Sequence, residues 1–120
     1  MNPFIYLQLH VDSPERAATF YGGLFDWETG SPEGAGQNHL EIHYSHPPQS
    51  IRAGVIMRAS SELVAQWIPF VEVEDVDECA AKATSSGGAI VIHPTDVPDK
   101  GRFSILRDPC GAAFAVWRAS

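Results

Sequence analysis

Positive charge is scarce in this chain. Eight Lys and Arg stand against fifteen Asp and Glu in 120 residues, a formal net charge of -7. No two basic residues adjoin. Nucleic-acid binding needs clustered Lys and Arg to displace counterions from phosphates, so that class is excluded. Cysteine is scarce as well. Cys79 and Cys110 are the two in the chain, and their spacing fits neither a metal-ligand set nor a redox pair, so they read as free thiols in a reducing cytoplasm. No run approaches the ~18 consecutive apolar residues of a membrane span. The first residues lack the basic flank and apolar stretch of a secretion signal. A cytoplasmic protein without membrane contact is expected. Also missing are a G-x-S-x-G elbow, a Gly-rich phosphate loop with its Lys, and a Cys close in sequence to a His.

What is present is an ordinary globular composition, 44% hydrophobic and 19% charged, at a length that makes one domain over 1–120. Phe4 to Val11 alternates, with Ile5, Leu7, Leu9 and Val11 on one face and Tyr6, Gln8 and His10 on the other, the period of a strand. Ser13-Pro14 opens a helix in which Ala17, Phe20, Tyr21, Leu24 and Phe25 recur at helical spacing. Thr29 to Asn38 reads as a loop. His39 to Tyr44 alternates again, His39, Glu41 and His43 opposite Leu40, Ile42 and Tyr44. Ile51 to Met57 is a further strand. Ser60 to Gln66 is the connector, dividing the chain into modules of about 1–60 and 66–120.

The second half repeats the order. Trp67 to Val73 is a strand with Ile68, Phe70 and Glu72 on one face. Asp75 opens a helix that stops at Gly87-Gly88. Ala89 to His93 is a strand and Pro94 to Gly101 a loop. Arg102 to Arg107 and Ala112 to Trp117 form a hairpin around Asp108-Pro109-Cys110-Gly111. A slide of about 62 positions superposes Leu9 on Val71 and Val11 on Val73, and one of about 63 superposes Asp12 on Asp75 and Glu15 on Glu78. The former suits the strands, because a slip of one residue exchanges their faces. Each half therefore reads strand, helix, strand, strand, strand.

Three motifs carry a resemblance: Phe20-Tyr21 with Leu24, Phe25 and Trp27; V-E-D-V-D running to Gly87-Gly88; and Asp108-Pro109, Gly111 and Phe114 with the terminal V-W. In these the chain resembles the vicinal oxygen chelate superfamily, which includes glyoxalase I, bleomycin resistance proteins and extradiol dioxygenases, and within it a glyoxalase-like subgroup. The resemblance implies an α+β fold of two βαβββ modules, their mixed sheet curled into open half-barrels around a cleft with helices outside, and a homodimer. In metal-dependent members, His, Gln or Glu from the first and last strand of each module hold a divalent cation. Counting from the motifs, those positions fall on Tyr6, on Ile68, on Ala115, and near Ile56 or Met57. Ile and Ala have no donor atom, so the superfamily metal site is expected to be missing and no cofactor is expected. A divalent metal could enter only through a displaced set, with His39, Glu41 and His43 joined by His10 or Glu72. The alternative for that set is a solvent-facing strand edge.

On each two-sided strand the aliphatic face should lie under a helix, leaving the other face for ligand or solvent. This selects Tyr6, Gln8, His10, Phe70 and Trp117 as ligand-binding candidates, and Glu41, His43 and Glu72 as candidate acid–base groups. Phe70 and Trp117 could equally pack against each other or at a dimer interface. The leading expectation is a protein that binds a small organic molecule without a metal. A lyase, isomerase or dioxygenase using a displaced His/Glu set is the enzymatic alternative. A non-catalytic dimeric module with a filled cleft is the third.

Overall fold

The computed structural model describes residues 2–25, 27–30, 39–43, 54–58 and 63–120, with the backbone alone for 39–41, 43 and 55–58. Its elements follow the order β1 (Phe4–Val11), α1 (Pro14–Leu24), β2 (Glu28–Gly30), β3 (His39–His43), β4 (Gly54–Arg58), β5 (Gln66–Glu72), α2 (Val76–Ser85), β6 (Ala89–Val97), β7 (Gly101–Arg107) and β8 (Ala113–Ala119). This is an α+β chain of two βαβββ modules. Its contacts gather into two units, Tyr6–Ile68, and Pro69–Ser120 together with Met1–Ile5.

In the first module the strands run β2-β3-β4-β1. β2, β3 and β4 form an antiparallel meander, and β1 joins β4 in parallel with Leu7 opposite Gly54 and Val11 opposite Arg58. A parallel partner needs a long crossover, which α1 and the meander supply. The Ser13 hydroxyl accepts from the Arg16 N–H at 3.3 Å and Pro14 takes the first helical position, so one free donor is capped and another is never made. Leu9 and Ile42 are the buried centre under α1, with Val11, Ala17, Ala18, Tyr21 and Trp27 packed around them.

The second module repeats this arrangement as β5-β8-β7-β6. β5 pairs with β8 in parallel, Phe70 opposite Ala115, and β7 pairs antiparallel with β8 and β6. Asp75 accepts from the Glu78 N–H at 2.9 Å at the start of α2. Val76 and Ala80 on that helix close over Leu106 and Val116. The helix ends where Gly87 turns to φ +95°, and Gly88 follows so close to the Arg107 carbonyl that a Cβ would stand 2.6 Å from it. In the β7–β8 turn the Asp108 carboxylate accepts from the Cys110 and Ala112 N–H groups at 2.9 and 3.0 Å, while Gly111 takes φ +93°. Those contacts are the physical content of the Asp-Pro-x-Gly motif.

Two boundaries depart from the expected ones. Thr29 and Gly30 belong to β2, paired with Ile42 and Glu41, rather than to a loop. Pro94 does not end β6, which runs on to Val97. β6 is the edge of its module's sheet, and its pairing with β7 shifts between Ile92 and Thr95. The N–H that proline lacks is therefore not needed there. Tyr44, the remainder of the expected loop and Ile51 to Ala53 fall outside the described residues.

Candidate functional site

Alternation along β1 sends Leu9 to the helix side, so Tyr6, Gln8 and His10 share the face turned away from α1. The three form a hydrogen-bonded row. The Gln8 side-chain oxygen Oε1 stands 2.9 Å from His10 Nε2, which assigns the ring hydrogen to Nε2 and leaves the lone pair on Nδ1. With its oxygen used, the Gln8 amide turns its N–H to the Tyr6 phenol, an interaction that favours the phenolate. Burial outweighs it and pushes the Tyr6 hydroxyl well above the usual tyrosine range, so it keeps its proton. His10 is 5% exposed, and that burial lowers its affinity for a proton, so the ring is neutral at pH 7. A neutral imidazole, an amide and a phenol in sequence can both donate and accept hydrogen bonds without carrying a charge.

The corresponding face of the second module is apolar. Phe70 is 1% exposed and Ile105 and Ala115 are fully buried. Phe70 packs against Phe103 with ring centroids 6.5 Å apart, and Trp117, half-buried, pairs across the ladders with Phe103 and Glu72. Val116 and Phe114 go to the α2 side, as alternation required. The Glu72 residue is exposed, and its backbone is tied to the N-terminal residues: its N–H donates to the Pro3 carbonyl and its carbonyl accepts from Asn2, both at 2.9 Å. The backbone of His39, Glu41 and His43 lies in β3. Their side chains lie outside the described residues, as do the displaced-metal and acid–base readings that rest on them.

The sheet register tests whether the superfamily metal fits. Ala115 lies opposite Phe70, two residues beyond Ile68. The same offset in the first module leads from Tyr6 to Gln8 and across to Val55. The fourth position is therefore Val55 rather than Ile56 or Met57, which pair with Leu9 and His10. A phenol with Val, Ile and Ala is not a donor set for a divalent cation. Among the described residues no three His, Cys, Asp or Glu side chains gather as a metal site.

Two features escape a reading of the sequence one strand at a time. Phe103 and Ile105 face Phe70 and Ala115, which the alternation in R-F-S-I-L-R announces once β7 is placed beside β8. Arg102 binds Asp77 through two hydrogen bonds of 2.8 and 2.9 Å and Asp96 through a third of 2.9 Å. This network lines a depression of about 270 Å³ at the start of α2 with Glu74, Asp75 and Arg118. Arg102 holds the Asp77 carboxyl below the usual carboxylate range, and the exposed ion pairs among these groups stitch β6 and β7 to α2.

No helix among the described residues is long and apolar enough to cross a membrane. The model of the glyoxalase/bleomycin resistance protein/dioxygenase superfamily matches residues 4–116, and the chain belongs to that superfamily. A protein of Mycobacterium bovis provisionally named glyoxylase CFP32 is 33% identical over 113 residues, 93% of this chain and 42% of that protein. The anthracycline biosynthesis protein DnrV of Streptomyces peucetius is 30% identical over 130 aligned residues, 90% of this chain and 44% of its own length. The chain thus spans less than half of the curated relatives it matches. Among solved structures, a methylmalonyl-CoA epimerase in complex with methylmalonyl-CoA superposes with a TM-score of 0.64 at 13% identity, covering 100% of this chain and 96% of that one. At that identity the likeness concerns the fold, which is that of the vicinal oxygen chelate proteins.

Proposed function

We propose that this chain binds a small, oxygen-bearing organic molecule on the helix-free face of its first module, without a metal ion. The observation that carries the reading is the Tyr6–Gln8–His10 row, with His10 neutral and fixed in the Nε2–H form. Where a metal-dependent relative would present a cation to a carbonyl or hydroxyl oxygen, this chain offers hydrogen-bonding groups at Tyr6 and a valine at position 55. Its relatives' names, glyoxylase and anthracycline biosynthesis, support a carbonyl- or hydroxyl-rich ligand.

The test is a thermal-shift screen of α-oxoaldehyde thiol adducts and hydroxylated polycyclic ketones, followed by calorimetric titration of any hit. A ligand present at 100 times its dissociation constant stabilises the fold by about 2.7 kcal/mol. Tyr6→Phe should weaken a true ligand about tenfold or more, the loss of one to two kcal/mol expected for a buried hydrogen bond. Hits that bind Tyr6→Phe and Gln8→Leu as tightly as the native chain would reject the assignment.

A further inference from the structure

Among the described residues two polar side chains are buried, His10 and Ser104. The Ser104 hydroxyl has its partner, donating to the Ile92 carbonyl at 2.6 Å. His10 has a partner at one ring nitrogen. Its Nε2–H donates to Gln8 Oε1 at 2.9 Å, while Nδ1 meets no donor among the described residues. The residue is 5% exposed, so open solvent does not supply one. A buried lone pair without a donor costs folding free energy, and protein interiors leave few of them.

The ring cannot relieve this by moving its hydrogen. With the hydrogen on Nδ1, the Nε2 lone pair would face the Gln8 oxygen. Turning the Gln8 amide to answer it would withdraw the N–H that reaches the Tyr6 phenol, and the buried Nδ1–H would then lack an acceptor. Adding a second hydrogen would create a buried charge, which burial opposes. The missing partner is therefore a donor from outside the row.

The row also deepens along β1: Tyr6 and Gln8 are half-buried and His10 is buried. A group that reaches the end of it must be small and must leave water at little cost. An uncharged hydroxyl meets both demands. An ammonium would have to shed its hydration, and a carbonyl or carboxylate oxygen brings only lone pairs, which Nδ1 repels.

Taking this row as the ligand face proposed above, we infer that His10 is its specificity-determining residue: Nδ1 accepts a hydrogen bond from an uncharged hydroxyl of the ligand, an alcohol, phenol or enol, and rejects the matching ether or bare ketone. The lone pair that the fold leaves unanswered is answered by the ligand, so a hydroxyl is favoured twice, once for the bond it makes and once for the deficit it removes.

Phenol and anisole test this, because they share a shape and differ in the donor, and a phenolic hydroxyl keeps its proton at pH 7. Nitrogen-detected magnetic resonance on the whole chain, labelled in its histidine rings, reads Nδ1 directly, with the His10 signals assigned by their loss in His10→Leu. The free chain should show a neutral ring with an unbonded Nδ1. Phenol should shift Nδ1 in the direction of hydrogen-bond acceptance and leave Nε2 in place. Anisole should move neither and bind at least about tenfold more weakly, and His10→Leu should bind the two alike. A free chain whose Nδ1 is already bonded and stays unmoved by phenol would overturn the inference, since a buried water or another part of the chain would then be the partner. Equal responses to phenol and anisole would overturn it too. If phenol perturbs the Tyr6 and Gln8 side chains and is weakened by Tyr6→Phe while Nδ1 stays still, the ligand face stands and the role of His10 falls. If neither compound perturbs any of the three up to its solubility limit, the ligand face falls with it.

Discussion

Replacing Gln8 by Leu puts the polar row to a quantitative test. In the native chain the Gln8 oxygen accepts from His10 Nε2 at 2.9 Å, and His10 is 5% exposed. Leucine fills similar space but accepts nothing, so a buried N–H loses its partner. The desolvation of such an orphaned group costs about 1–3 kcal/mol. For a domain of this size that lowers the melting temperature by roughly 4–15 °C. His10→Leu on its own removes the donor and leaves the half-buried Gln8 amide able to turn toward water, at smaller cost. The double variant removes both ends of the bond, and its loss should fall short of the sum of the single losses by about 1 kcal/mol. Urea unfolding followed by far-ultraviolet circular dichroism on the four proteins measures the cycle. A Gln8→Leu chain within about 0.5 kcal/mol of native, or a strictly additive double variant, would show that the bond between these side chains does not hold the row together.

Other consequences follow from the same structure. The buried His10 has a folded pKa below its ordinary value, so the unfolded chain takes up that proton first. Its contribution is complete above about pH 6.5 and is lost as pH falls through the depressed folded value; a pH series of melting temperatures should fall less steeply below 6.5 for His10→Leu than for the native chain. Leu106→Ala empties a fully buried position beneath α2 and should cost about 2–5 kcal/mol by chemical denaturation. Asp108→Ala removes the acceptor of two turn N–H groups and should cost about 1–2 kcal/mol in the same assay, with a wild-type spectrum.

Periodicity made much of this fold legible. The alternation from Phe4 to Val11 marks β1 with its true bounds, and Ser13-Pro14 and Asp75 stand at the two helix starts. The opposite faces of Leu9 and His10, and of Val116 and Ala115, follow from a period of two. What one strand's pattern does not hold is pairing. β2 is three residues long and declares itself only opposite Glu41 to His43. Pro94 reads as a terminator until β6 is known to be an edge. The fourth ligand position depends on the parallel offset between β1 and β4, which moves it to Val55. The partnership of Trp67 with Tyr21 joins residues 46 positions apart, and no local signal announces it. The neutral state of His10 likewise depends on its burial in the assembled chain.

The most direct test of the account is the metal content of the purified, untagged chain by elemental analysis, after loading with zinc, nickel, manganese or iron and exhaustive dialysis. With Tyr6, Val55, Ile68 and Ala115 at the superfamily's ligand positions, the account predicts no stoichiometric ion under any loading and ligand affinity unchanged by a chelator. One ion retained per chain, and released when His10 or His43 is changed to Ala, would contradict it and place a metal-dependent site on a displaced set of ligands.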